Sequence, residues 1–195
     1  LSLHALHAAF ATLGQDYATG LSCFLAALDL DPGFAPAAAF APWAAAYGNL
    51  IRNRDDLARY VGLARYAARA GDNDARTLAA AATAVFYLDH DFSFGERLVE
   101  RALDINPNEY VAWICGGWLR VQSGDRDEAL IRFARAEALN PLAYGRDGIE
   151  AGRALAHFFA GDLDLAETHV QRALANQPDN PSALSTGVAV AAERS

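Results

Sequence analysis

Five histidines, two cysteines and a few paired carboxylates are the side chains of this chain with chemistry to offer. His4 and His7 stand one helical turn apart, a spacing that turns two imidazoles toward one metal ion, but no third ligand lies near them. His157 and His169 fall twelve residues apart with Glu167 beside the second. Asp89-His90-Asp91 reads as a turn that caps a helix, and Asp55-Asp56 and Asp72-Asn73-Asp74 read as helix starts, where carboxylates favour the exposed amides. A calcium loop would need alternating oxygen ligands, a glycine bend and a closing glutamate, which neither cluster has. Cys23 and Cys115 have no CxxC partner and no base in sequence range, so both are expected to be inert buried thiols. Gly116-Gly117 lies inside a helical pattern and is read as a close helix contact, not a phosphate cradle. No catalytic constellation, metal site or cofactor site is expected.

Composition narrows the partners. The net charge is −8, and all 16 basic residues are arginine. An acidic surface repels phosphate backbones, so nucleic acid is not an expected partner. Apolar stretches are interrupted by Asp, Arg or Pro too often for a membrane span to be expected, and no signal-peptide pattern opens the chain. Two cysteines are too few for a disulfide framework, which fits a reduced, cytoplasmic setting. Methionine is absent, including at position 1, so the chain is expected to be a fragment of a longer protein.

The elements that must position these residues repeat. ALDLDP, ALDINP, AEALNP and ALANQP end at Pro32, Pro107, Pro141 and Pro178, with steps of 75, 34 and 37 residues. Such a period marks a stack of helical hairpins, each too thin to cover its own apolar face. Five residues before each proline is alanine (Ala27, Ala102, Ala136, Ala173), and eight before it is a bulky apolar residue (Phe24, Val99, Phe133, Val170). Small residues stand twelve before (Gly20, Gly95, Ala129, Ala166) and twenty-four before (Ala8, Thr83, Gly117, Ala154). The small positions let two antiparallel helices cross closely, and the bulky one fills the gap to the next pair. Asp72 stands in for a missing proline, with Ala67 five residues back but Ala64 and Tyr60 in reversed small and large order.

These signals predict one repeat domain over residues 1–195, with helix pairs near 1–31, 35–71, 73–105, 108–139 and 143–176 and a terminal capping helix near 181–193. Ser93-x-x-Glu96 and Asp125-x-x-Glu128 read as capping boxes, and Asn106-Pro107 and Asn180-Pro181 as a cap followed by proline at the first helical position. Gly124 and Gly161 mark tight turns. Pro42 should kink or break a helix spanning it, and Pro141 to Gly148 should be an extended turn.

Trp113, Gly117, Gly124, Ala129, Phe133, Ala136 and Pro141 together resemble the tetratricopeptide-repeat pattern, with Arg120 a departure where tyrosine is usual. The resemblance implies an all-α, right-handed solenoid of antiparallel helix pairs. RALDINPNEYVAWICGGWLRVQSGDRDEAL, ALNPLAYGRDG and GRALAHFFAGDLDLAETHVQRAL further resemble tetratricopeptide regions C-terminal to bacterial class III adenylate cyclase domains, and similar regions follow winged-helix regulators. That implies a non-catalytic interaction scaffold from a bacterial signalling protein, or a homodimerisation module for an attached catalytic or DNA-binding domain. His157 takes a slot usual for tyrosine in this pattern, which implies packing with one nitrogen satisfied.

In such arrays the first helix of each pair lines a groove. The resemblance therefore implies a partner-binding set of Trp43, Tyr47, Tyr87, Ile114, Trp118, Val121, Phe158 and Phe159. The set is apolar and aromatic, which suits a protein or peptide, or a second copy of the chain. It lacks the lysine and asparagine that clamp a C-terminal carboxylate in chaperone-binding members, and arginine does not reproduce lysine's geometry.

Overall fold

A computed structural model describes residues 16–140 and 146–195. Among these residues there are ten α-helices, one π-helical turn and no strand. The chain divides into two compact units, Leu1–Cys115 and Gly116–Ser195. His4, His7, Ala8 and the first helix expected before residue 16 lie outside the described residues.

The first unit contains α1 (Tyr17–Leu30), α2 (Ala35–Tyr47), α3 (Arg54–Ala70), α4 (Ala75–Ala84), a π-helical turn (Val85–Asp89) and α5 (Phe92–Ile105), and takes in the start of α6 (Tyr110–Gln122). Alanine decides the packing here. In α4 every residue but Arg76 is buried, and α4 packs on α2, α3 and α5. A helix apolar on all sides must be covered on all sides. α2 runs through Pro42, which is itself fully buried, so the expected break does not occur. Proline leaves the Ala38 carbonyl without its intrahelical donor, a cost of about 3 kcal/mol in an exposed helix. Here Ala37, Ala38, Ala39, Ala41, Ala44 and Ala45 are all fully buried, and that packing holds the helix together.

The second unit contains the rest of α6, then α7 (Arg126–Leu139), α8 (Arg146–Phe159), α9 (Leu163–Asn176) and α10 (Pro181–Glu193). α8 packs on α7, α9 and α10, and α9 packs on α10. The expected turn through Gly148 ends earlier, because α8 already begins at Arg146. Residues 141–145 lie outside the described set.

The repeat register is visible in the burial. Ala27, Ala102, Ala136 and Ala173 are each fully buried, and Phe24, Val99, Phe133 and Val170 are buried beside them. A Cβ added at Gly117 would stand 2.5 Å from Phe133, and one at Gly152 would stand 2.3 Å from the same ring. Two backbones thus close on Phe133 from successive pairs, and only glycine permits that approach. In the irregular second pair Tyr60 and Ala64 are both buried despite their reversed order, Ala64 against Ala84 and Val85.

Helix ends follow the expected chemistry with two shifts. Asp125 accepts from the Glu128 amide at 3.3 Å after Gly124 turns with φ +77°, and Asn180 accepts from the Ala183 amide at 2.9 Å. α5 is capped by Asp91, not by Ser93: Asp91 accepts from the Phe94 amide at 3.1 Å, and Ser93 lies inside the helix. Asn106 ends α5 and accepts from the Asn108 amide at 3.0 Å, so Pro107 sits in a turn, not at a helix start.

Candidate functional site

The first unit gathers eight of its aromatic side chains into a connected ribbon. Phe24 of α1 stacks on Phe40 of α2 at 5.7 Å between ring centres. Phe40 meets Trp43 edge-on at 6.0 Å, and Trp43 lies 5.9 Å from Tyr17 and 5.0 Å from Tyr47. Tyr47 then meets Tyr87 of the π-turn at 5.4 Å, and Tyr87 leads through Phe86 to Phe92. The helical period makes this possible: Phe40, Trp43 and Tyr47 are three and four residues apart and share one face of α2. Phe24 and Phe86 are buried anchors, Trp43 and Tyr87 are half-buried, and Tyr47 and Phe92 are 41% and 45% exposed.

The π-turn is what carries Tyr87 into this ribbon. It ends with His90 in the left-handed region at φ 53°, and Asp91 follows as the cap of α5. Arg65 of α3 holds both sides of the reversal, donating from Nε to Asp89 Oδ2 at 2.6 Å and from its terminal nitrogen to Asp91 Oδ2 at 2.9 Å. Its guanidinium also lies 5.4 Å from the Phe94 ring centre. The Phe94 amide, and then Arg65, hold the Asp91 carboxyl below its usual range. π-Helical turns recur at functional positions, where they re-aim a side chain within an otherwise regular helix.

Tyr47 and Tyr87 meet edge-on, their rings inclined at 68°. Although the Tyr47 ring reaches solvent, its hydroxyl end is enclosed. Loss of hydration, followed by the neighbouring Tyr87, pushes its phenol well above 10.0. Burial likewise pushes Tyr87 up to about 12. The ribbon thus offers flat apolar rings with uncharged polar tips throughout the physiological range.

Of the predicted groove residues, Trp43, Tyr47 and Tyr87 meet in this ribbon. Ile114 is half-buried on α6 in the same unit. Trp118 and Val121 are buried in the second unit, where Trp118 meets Phe133 edge-on at 6.2 Å. Phe158 and Phe159 close α8 with rings 6.0 Å apart, Phe159 being 57% exposed.

The second unit holds a polar chain that is largely buried at His157, His169, Glu150 and Arg153 and reaches solvent at Arg126, Asp162 and Glu137. His157 and His169 stack in parallel at 5.4 Å, which brings together the two histidines singled out in the sequence. His157 Nδ1 lies 3.5 Å from Asp162 Oδ2, and Arg126 donates to that same oxygen at 2.9 Å. His169 Nδ1 lies 2.6 Å from Glu150 Oε2, and Arg153 bridges Glu150 to Glu137 with two 2.9 Å bonds. Burial alone would push Glu150 up, but His169 and Arg153 outweigh it and hold the carboxyl below its usual range. Glu167, the carboxylate expected near the histidines, pairs with Arg194 instead. Glu150 was missed, although its register slot, 37 residues after Trp113, is an apolar one and an acid there needs a partner. Among the described residues no three His, Cys, Asp or Glu side chains are grouped to hold a metal ion, and no helix is long and apolar enough to cross a membrane.

No family model matches the chain, and no curated protein matches it. Solved structures do. YrrB, described as a TPR protein with an unusual peptide-binding site, is 20% identical, with 93% of this chain and 89% of that one covered at a TM-score of 0.53. TTC0263, a thermophilic TPR protein of Thermus thermophilus, is 17% identical, with 98% and 97% covered at 0.66. Human IFIT1, in a dimer structure with m7Gppp-AAAA, is 16% identical, with 91% of this chain and 43% of that one covered at 0.73. A single small-and-bulky register along successive hairpins, matched nearly end to end by such structures, gives this chain the tetratricopeptide-repeat fold.

Proposed function

We propose that the chain is a non-catalytic scaffold that recognises a protein partner, and that the aromatic ribbon of its first unit takes an apolar segment of that partner. The observation that carries this reading is the unbroken string from Phe24 to Phe92, which leaves Tyr47 and Phe92 in solvent while the buried rings Phe24 and Phe86 anchor it. Rigid aromatic side chains lose little entropy on binding and contribute large contact areas. The net charge of −8 and the lack of lysine favour a polypeptide over a nucleic acid. Replacing Tyr47 with Glu tests the reading. Peptides selected on the wild-type chain from a displayed library should be apolar in their shared positions and bind the variant at least about tenfold more weakly. Equal binding by the two chains, with helicity unchanged, would remove the ribbon as the site.

The wider setting we propose is the regulatory repeat region of a bacterial signalling protein such as an adenylate cyclase. Its support is the likeness of the 101–130 and 152–174 segments to regions that follow such domains. Homodimerisation for an attached domain is the alternative. Light scattering on the chain decides between them, since only the alternative requires mass to rise with concentration.

A further inference from the structure

The aromatic ribbon is flanked by carboxylates at both ends. Asp16 is exposed and stands directly before Tyr17, the ring that meets Trp43 and Tyr47. It caps α1 by accepting from the Thr19 amide at 3.0 Å, and the hydrogen bonds from Thr19 hold its carboxyl below the usual range. At the other end Asp89 and Asp91 bracket His90 just before Phe92, and Glu96 follows on α5. Two cations stand against these three carboxylates, Arg65 from α3 and Arg97 from α5. Negative charge is therefore in excess at each end.

The wider field has the same sign. The first unit carries thirteen carboxylates, eight arginines and no lysine, so cations are drawn toward the ribbon and anions are turned away. Its rings add to that preference, because an aromatic face attracts a cation. The surface beside the π-turn already shows the pairing: the guanidinium groups of Arg65 and Arg97 lie 5.4 and 5.5 Å from the Phe94 ring centre. Phe92, 45% exposed, offers an incoming cation a ring of the same kind.

We infer that the ribbon takes a segment of another polypeptide whose apolar core is bracketed by lysine or arginine on both sides. The inference rests on the ribbon being the docking surface. The apolar side chains lie along Trp43, Tyr47 and Tyr87, and the flanking cations reach Asp16 at one end and the Asp89–Asp91 turn at the other. Charge decides among the occupants. Residues 1–15 hold no lysine or arginine and cannot supply these cations at neutral pH. A second copy seated ribbon to ribbon would set carboxylate against carboxylate, which disfavours that pairing.

Peptides selected on the whole chain from a displayed library are the probe, the tightest being remade with glutamine for each lysine and arginine. Basic residues are expected on both sides of the shared apolar positions. Affinity should fall as salt rises from about 50 to about 500 mM, and the glutamine form should bind at least about tenfold more weakly at the lower salt. Asp16→Asn and Asp89→Asn should each weaken the basic peptide about threefold and leave the glutamine form unchanged. Asparagine caps a helix as aspartate does, so α1 keeps its cap, and circular dichroism checks that the fold is intact. Tyr47→Ala removes a ring and no charge, and should weaken both peptides alike. Equal binding by the basic and glutamine forms, with both weakened by Tyr47→Ala, overturns this inference and leaves the ribbon standing. A Tyr47→Ala chain that binds as the wild type does removes the ribbon itself. The inference also falls if no peptide is selected, or if a synthetic peptide of residues 1–15 displaces the selected one. Light scattering showing a dimer that Tyr47→Ala dissociates would give the surface to a second copy instead.

Discussion

Phe133 and the two glycines that face it show how little room the register leaves. Gly117→Ala or Gly152→Ala would bring a methyl group within 2.5 Å of a ring that is itself fully buried. We expect each to lower stability by about 1–3 kcal/mol through overpacking, read as a fall in thermal midpoint. Glu150 offers a second test. Its side chain is 8% exposed, and Glu150→Ala would leave His169 and Arg153 without their shared acceptor. A loss of about 1–3 kcal/mol in denaturant unfolding at neutral pH is expected. The tyrosine pair sets a pH limit. Because folding raises both phenols above 10.0, the unfolded chain ionises first as pH rises. The stability they contribute is complete below about pH 10 and declines from there toward pH 12 and beyond. Tyr87→Phe should flatten that decline, and tyrosinate absorbance during the titration checks it.

Helix ends were less legible in the sequence than helix interiors, and the reason is local. The small and bulky positions are set by neighbours one hairpin away and repeat faithfully, so Gly20, Phe24 and Ala27 are buried as their spacing requires. α10 runs from Pro181 to Glu193, and its Asn-Pro start is read as a cap because the Asn180 side chain accepts from the Ala183 amide. The same dipeptide at Asn106 does something else, since the asparagine there closes a turn on Asn108. The cap of α5 is Asp91 rather than Ser93, within the Asp89-His90-Asp91 run that the sequence marks as a capping turn, whereas the π-helical turn before it has no counterpart in the sequence reading. As for the groove residues, Trp43, Tyr47 and Tyr87 are gathered by α2 and the π-turn, whereas Trp118 and Val121 follow the same spacing rule and are buried, because a core stripe and a binding stripe share one period. A polar replacement of Trp118 would therefore report on folding. Arg65 belongs to this scale as well. Arg65→Ala should loosen the turn it spans, and faster amide exchange confined to residues 85–92 would show it.

For the molecule as a whole, the surface charge makes a prediction of exclusion. A chain with net charge −8 and no lysine should give no shift with single-stranded RNA at any salt concentration; binding that weakens as salt rises would contradict the acidic-surface argument. The second unit also carries a consequence in its shared ring. Phe133 belongs to α7, yet it is gripped from one side by Gly117 of α6 and from the other by Gly152 of α8. Neither hairpin can fray without releasing the common rivet, so α6, α7 and α8 must melt together. Their slowest amides should then exchange at one rate, and a lesion in either hairpin should be felt equally by both.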